Sequence, residues 1–422
     1  MIVCRNLTWS QLDGRFWMGI FISSTPRIVY PWRLLEDTVK GKSVSTKLSR
    51  RPFLRALGLG ATAVAMSVSL VACGSSSDTT DPSAIGQNLD EIIANAQEEG
   101  EVRLIAYPET WANYAGHFEE FEAKYGVDIT VDSPDASSAE ELQAVQNLRG
   151  QDTQPDVLDI GYSFTNPAID QGLVEPYQPS NWDSIPDNLK DPEGNWVGAY
   201  YGVVSIGVNK DLVDEIPTTF EDLLDPQYAG KIAIPGDPRQ GASSIAAVFS
   251  AALANGGSLD DIQPGIDFFA KLAESGNLTT VSDAASGMTT GEAAIIFDWN
   301  YNWLGRTAQL ERDGVNFDYF VLEDGVFGNF YAQPVTAGSP QPNAARLWVD
   351  WLTSDEGAEQ YALGGAIPAR FTELAAAEKL SDEALAALPD PAIVEKVELP
   401  SAAQGDEANK VIATQWAEKV KY

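Results

Sequence analysis

Thiols and imidazoles are nearly missing from this chain of 422 residues, which holds two cysteines, Cys4 and Cys73, and one histidine, His117. Beyond Cys73 there is no thiol, so disulfides, zinc–thiolate sites and Cys–His nucleophilic pairs are excluded from the body of the chain. A single imidazole rules out a His-rich metal site and leaves a Ser–His–Asp triad only His117 to build on. That residue lies in a stretch of helical spacing and reads as a helix-face side chain. Positive charge is scarce as well. Residues 1–72 carry ten Lys/Arg against three Asp/Glu, a net of +7, whereas residues 73–422 carry seventeen against fifty-eight, a net of −41. A body this acidic repels the phosphate backbone, which excludes non-specific nucleic-acid binding as its main role. What is present is apolar and aromatic matter, 44% and 10% of the chain, too much for a disordered polymer. A body of some 350 residues is ample for a large core, and more naturally two lobes than one.

The basic front end has a grammar of its own. Ser49, Arg50, Arg51, Pro52, Phe53 and Leu54 form a twin-arginine export pattern, followed by a soft Ala/Gly/Ser-rich apolar run over residues 56–72. It ends in Leu70, Val71, Ala72, Cys73 and Gly74, a bacterial lipobox in which Cys73 would take a diacylglycerol thioether and become the new N-terminus. The polar stretch after it, through residue 87, reads as a tether between lipid and folded body. The expected location is therefore outside the cytoplasmic membrane, lipid-anchored or periplasmic. Residues 1–43 fit poorly ahead of a signal peptide, which places the expected translation start near Val44.

The body alternates strand and helix signals. Leu89, Ile92, Ile93 and Ala96 mark an amphipathic helix stopped by Gly100, and Val102, Leu104 and Ala106 a strand. A helix through Trp111, Tyr114, Phe118 and Phe121, a strand over 127–131, a helix through Leu142, Val145 and Leu148 and a strand over 156–161 complete one unit. A second unit repeats the rhythm: a strand at 231–234, a Gly/Pro turn at 236–242, a helix at 243–254, another around 266–272 and a strand at 293–297. Extended crossings at 200–209 and 330–336 join the units, and Thr353 with Glu356 forms a capping box behind a helix through Leu347, Trp348, Trp351 and Leu352. The fold class is α/β: a two-lobed clamshell of mostly parallel sheets with two hinge crossings. Lobe I is expected over 88–205 and 330–422, and lobe II over 206–329. Ligands of such sheets bind beyond the carboxyl ends of the strands, in the cleft.

Five segments carry a resemblance. Glu99, Gly100, Glu101 and Val102; Pro155, Asp156 and Val157; the run Leu223, Leu224, Asp225, Pro226, Gln227, Tyr228, Ala229, Gly230 and Lys231; Gly291, Glu292, Ala293 and Ala294; and Ala344, Ala345, Arg346, Leu347 and Trp348 are similar to the solute-binding proteins of ABC importers. The nearest branch is the type II clamshells that bind ferric iron, thiamine, phosphonates or polyamines. The resemblance spans residues 88 to about 370. It implies a non-enzymatic, monomeric carrier whose loaded form docks on a membrane permease driven by an ATPase, with no cofactor, metal or catalytic residue of its own.

Candidate ligand residues lie in the loops after strands. On the first lobe these are Tyr107, Glu109, Trp111, Ser137, Ser138 and Tyr162; on the second, Asp237, Arg239, Ser243, Asp298, Trp299 and Tyr301, with Tyr331 at the crossing. Arg239 and the helix start beyond it suit an anion, unless Ser243 is merely an N-cap and Arg239 is solvated. Asp298 between aromatics suits an ammonium or cationic ring, by charge pairing and cation–π contact with Trp299 or Tyr301, unless it caps the following helix. The expected ligand is thus a small cationic or zwitterionic nitrogen compound, polyamine-, thiamine- or aminophosphonate-like. Ferric iron is the alternative in the same family: Tyr301 is followed by Asn302, so the adjacent tyrosine pair of the iron binders is missing, although Tyr162, Tyr301 and Tyr331 could converge. From other classes, a secreted carboxylate-dependent hydrolase and a ligand sensor for a membrane receptor are weighed against the carrier.

Overall fold

The computed structural model describes residues 85–421 except Ser282, together with a short hairpin in which Ser10–Leu12 pairs antiparallel with Arg15–Trp17. The export pattern at Arg50 and Arg51, the lipobox at Cys73 and the tether to residue 84 lie outside the described residues. Residues 1–73 and 74–422 are separate units, the hairpin belonging to the first and the α/β body to the second.

Helix α1 (Leu89–Glu99) starts where the Asn88 side chain accepts the Glu91 N–H and stops at Gly100, whose φ of 81° only glycine adopts cheaply. Strand β1 (Glu101–Ile105) comes next, an inner strand of a five-stranded sheet. Helix α2 (Tyr114–Tyr125) begins three residues later than the aromatic spacing suggested, because Ala112 and Asn113 take φ of 46° and 60°. That turn leaves Trp111 off the helix. Strand β2 (Asp128–Asp132) leads into α3 (Ser138–Leu148), whose start is fixed by Glu140 accepting both the N–H (2.8 Å) and the hydroxyl (2.7 Å) of Ser137. Short strands β3 (Val157–Leu158), β4 (Ile160–Gly161) and β5 (Val174–Glu175) complete this part.

Strand β6 (Gly198–Asn209) is twelve residues long and almost wholly buried, and it ties the second sheet together. Around it come β7 (Ile232–Ile234), α4 (Ala242–Ala254), α5 (Gln263–Glu274), β8 (Leu278–Thr280), β9 (Ile295–Trp299), α6 (Asn300–Arg312), β10 (Phe317–Phe320) and β11 (Gly328–Ala332). The chain returns through β12 (Val335–Thr336), α7 (Pro342–Thr353), α8 (Asp355–Leu363) and β13 (Ile367–Pro368), and ends in α9 (Ala402–Lys419).

The five-stranded sheet runs β2-β1-β3-β12-β5; the larger runs β8-β7-β9-β6-β11-β4, with β10 and β13 also on β6. Each has a parallel heart, β2-β1-β3 in one and β8-β7-β9 in the other. The crossing strands pair antiparallel: β6 with β9, β10, β11 and β13, and β12 with β3 and β5. The α/β class holds, and the sheets are mixed because the crossings join them as strands. The expected capping box of Thr353 and Glu356 does not form, and a simple N-cap stands one residue later. Thr353 is the last residue of α7, and it is Ser354 whose hydroxyl accepts the Gly357 N–H that opens α8. Every residue of α7 is buried, so this helix is core rather than surface.

Candidate functional site

The sequence makes its concavity where strands end and helices begin. A cavity of about 310 Å³ is lined by Pro108, Thr110 and Trp111 after β1; by Asp135, Ser137, Ser138 and Glu141 around the start of α3; by Asp159 between β3 and β4; by Gln240, Gly241 and Ala242 at the start of α4; by Asn302 and Arg306 on α6; and by Tyr331 on β11. Both sheets therefore contribute, and two helix N-termini lie on its wall.

The aromatic wall is continuous. Trp111 donates its indole N–H to the Tyr200 hydroxyl (2.9 Å) and packs on Tyr331 and Tyr301, with ring centroids 5.1 and 5.8 Å away. Tyr301 in turn stacks on Trp299 at 6.2 Å, both fully buried behind the wall. The Tyr331 phenol is held protonated far above its usual range by burial first, then by Asp159 and Asp298, only partly offset by the Ser243 hydroxyl.

Asp298 does not present a free carboxylate. It is 4% exposed; Oδ1 accepts from the Trp299 N–H (2.8 Å) and Asn302 Nδ2 (2.9 Å), and Oδ2 from Arg306 Nη1 (2.5 Å). Trp303 supports the same guanidinium, 5.5 Å from its ring. The group offered to the cavity from this corner is therefore Arg306, a cation aimed by a buried acid.

The lining also carries two acids. Glu141 and Asp159 are 1% and 3% exposed, and the Asp159 N–H donates to Glu141 Oε2 at 2.9 Å. Asp159 is held by three donors: Gln333 Nε2 donates to Oδ1 (2.6 Å), and the hydroxyls of Tyr114 (3.0 Å) and Tyr200 (3.4 Å) to Oδ2. Burial pushes its carboxyl up to about 7 against the pull of those three donors. Glu141 is driven well above the carboxylate range by burial and by the Asp159 charge, and its Oε1 has no hydrogen-bond partner among the described residues.

Of the thirteen residues expected from sequence, Trp111, Ser137, Ser138 and Tyr331 line the cavity. Asp298, Trp299, Tyr301 and Ser243 stand directly behind it. Ser138 uses its hydroxyl to accept the Gly161 N–H (2.9 Å), joining α3 to β4. Tyr107 is core, donating its hydroxyl to the Leu158 carbonyl (3.0 Å), and Glu109 borders a different surface hollow. Arg239 folds back on Asp237, with Nε 2.9 and 3.0 Å from the two carboxylate oxygens, in the loop ahead of Gln240. Tyr162 packs on Phe330 and against Gly405 of α9, so Tyr162, Tyr301 and Tyr331 do not meet in the cavity. Sequence reasoning missed Glu141, Asp159 and Arg306. Asp159 had a signal, an acid set inside the apolar strand of Val157, Leu158 and Ile160; Arg306 had one too, four residues after Asn302 and so on the same helix face.

Comparison with known proteins fits this architecture. The iron uptake protein A2 of Synechocystis is 25% identical over 260 residues, 59% of this chain and 74% of that protein. An uncharacterised protein of Haemophilus influenzae is 25% identical over 206 residues, 46% of this chain, and the chain spans 56% of its length. Among solved structures, the periplasmic binding protein AfuA of Actinobacillus pleuropneumoniae, with fructose-6-phosphate bound, superposes with a TM-score of 0.59 at 20% identity, covering 76% of this chain and 98% of AfuA. The fold is that of the periplasmic binding proteins. The family model described as bacterial extracellular solute-binding protein matches residues 152–397, more than half of the chain, and this protein belongs to that family.

Proposed function

We propose that the chain is the substrate-binding component of an ABC importer: exported, held outside the membrane by lipid on Cys73, and delivering a small solute to a permease without chemically changing it. The two lobes, 88–205 with 330–422 and 206–329, would close on the ligand about residues 201–205 and 330–333. Support for this comes from the lining of the cavity, which draws residues from both sides of those crossings. Among the described residues no helix is long and apolar enough to cross a membrane.

The observation that carries the ligand reading is the Arg306–Asp298 pair. Asp298, the acid that would have received an ammonium, is spent on Arg306, and Arg306 faces the cavity beside two helix N-termini. The captured solute therefore bears an anionic group. Of the nitrogen compounds expected from sequence, the zwitterionic kind keeps its place, and a pure polyamine loses its acceptor at Asp298. At about 310 Å³ the cavity stands at the small end of ligand sites, roughly 300–1,000 Å³.

A thermal-shift panel on the full chain tests this with fructose-6-phosphate, 2-aminoethylphosphonate, spermidine, thiamine and ferric citrate. A ligand at 100 times its dissociation constant adds about 2.7 kcal/mol, enough to move the midpoint. We expect shifts from members carrying phosphate or phosphonate. A shift confined to spermidine would refute the anion reading, and one confined to ferric citrate would transfer the assignment to iron.

A further inference from the structure

The acidic wall of the cavity is not absorbed by an anion site, and it contains a group the fold leaves unmatched. Glu141 sits in the first turn of α3, lines the cavity and is 1% exposed. One carboxylate oxygen is used by the Asp159 N–H; the other, Oε1, is buried without a partner among the described residues. Such an atom is costly to leave unmatched, and Glu141 differs from the other buried unpartnered groups in lining the ligand cavity, where a donor on the solute can satisfy it. Asp159 is less available than Glu141, because Gln333, Tyr114 and Tyr200 already donate to both of its oxygens.

We propose that Glu141 receives the amine of the solute, which is therefore a zwitterion held with its ammonium on Glu141 and its anionic group on Arg306. This rests on the anion reading above and deepens it. Two further observations favour an ammonium over a hydroxyl. Asp159 adjoins Glu141 through its N–H, so the corner has a surplus of acid that a cation neutralises. Trp111 and Tyr331 also line the same space, and an aromatic ring attracts a cation more than a neutral donor. Burial and the Asp159 charge raise the Glu141 carboxyl well above its usual range, and an ammonium at contact would pull it back down.

The test is calorimetric titration of the full chain with two zwitterions of different length and their truncated partners: 2-aminoethylphosphonate against ethylphosphonate and ethylamine, and 4-aminobutyrate against butyrate and butylamine. In the unaltered protein we expect at least one zwitterion to bind at least about thirtyfold more tightly than its amine-free partner, as for truncation of one member of a buried charge pair. In Glu141→Gln that advantage should shrink to within about threefold, while the amine-free anion binds the variant no worse than the parent. The comparison within the unaltered protein needs no variant to fold. Equal affinity for a zwitterion and its amine-free partner overturns the proposal, as does an advantage that survives Glu141→Gln. Binding of fructose-6-phosphate or the amine-free anions alone would overturn the zwitterion while leaving the anion reading intact. Binding of the amines alone would overturn both.

Discussion

Two side chains show how burial decides the chemistry of single residues. Asp298 and Arg306 are 4% and 26% exposed, and the acid fixes the base. Asp298→Asn should keep the shape and release the guanidinium, weakening whichever phosphate or phosphonate probe binds the parent by about 1.5–3 kcal/mol, the range for a charged hydrogen bond. An unchanged dissociation constant would mean that Arg306 is not a ligand group. His117 is the contrasting case, fully buried among Tyr361, Tyr114, Trp348 and Trp351, with both ring nitrogens unpartnered among the described residues. Burial lowers its pKa from 6.5 to about 3, so the folded state binds a proton less readily than the unfolded chain. Its contribution is whole above pH 6.5 and is lost as pH falls toward 3, by roughly 1.4 kcal/mol per unit. Asp156 and Asp159, raised to about 6 and about 7, act in the opposite sense, their contribution fading as pH rises through those values. The difference between the parent and His117→Phe isolates the imidazole. It should grow in the variant's favour between pH 6.5 and 4.5 in urea melts, and a pH-independent difference would contradict the buried neutral assignment.

At the scale of elements, strand β6 explains why α6 points where it does. A Cβ at Gly202 would collide with the Tyr301 ring, and one at Gly207 would lie 2.6 Å from Trp303, so these glycines let two aromatic rings of α6 lie on bare backbone. Gly207→Ala should cost about 1–3 kcal/mol through overpacking. Gly202→Ala should do the same and also weaken ligand binding, because Tyr301 backs Trp111 in the cavity wall. Stability equal to the parent's for both variants in denaturant melts would mean that the rings move aside freely. The segments that carried the family resemblance prove to be pins of the same kind. Glu99 accepts the N–H groups of Asn343 and Ala344 at the start of α7 (3.1 and 2.8 Å), and Asp156 accepts from the Arg103 N–H, the Ser339 hydroxyl and the Gln341 N–H. Asp225 caps the turn at Gln227, and Asn277 holds the same loop through the carbonyls of Leu223 and Asp225. Most of these pins join distant segments; the fold was legible for another reason, because periodicity, glycine stops and local caps are properties of neighbouring residues. The site was legible only in part: Trp111, Ser137 and Ser138 follow strands, as the topology requires, and Tyr331 lies on the crossing strand β11. Glu141 and Arg306 were not, because they lie one and two turns inside helices, and whether an acid there meets solvent, a base or an empty cavity depends on contacts far off in sequence.

For the whole molecule the governing quantity is the charge of residues 73–422, seventeen Lys/Arg against fifty-eight Asp/Glu. Local ion pairs such as Arg370 with Asp355 and Arg346 with Glu175 offset little of it, and the remaining field opposes the compact state and reaches into the surroundings. Screening shortens that field from about 30 Å at 0.01 M salt to about 3 Å at 1 M. Added sodium chloride should therefore raise the thermal midpoint, although surface ion pairs taken singly would predict a fall. The same field acts on approaching solutes according to their net charge, and this separates the ligand classes independently of the cavity. A purely anionic solute is repelled, so its association rate should rise with salt; a polyamine is attracted, so its rate should fall. A zwitterion whose charges cancel, such as 4-aminobutyrate, carries no net charge and should associate at a rate nearly flat between about 0.01 and 0.5 M, within about twofold, where steered ligands change by roughly tenfold or more. Stopped-flow tryptophan fluorescence can follow this, since Trp111 lines the cavity. A flat salt profile for a tightly bound solute, together with a midpoint that climbs with salt, is what an acidic carrier with Glu141 and Arg306 in its cavity lining should give; a steeply falling profile would return the ligand to the polyamines.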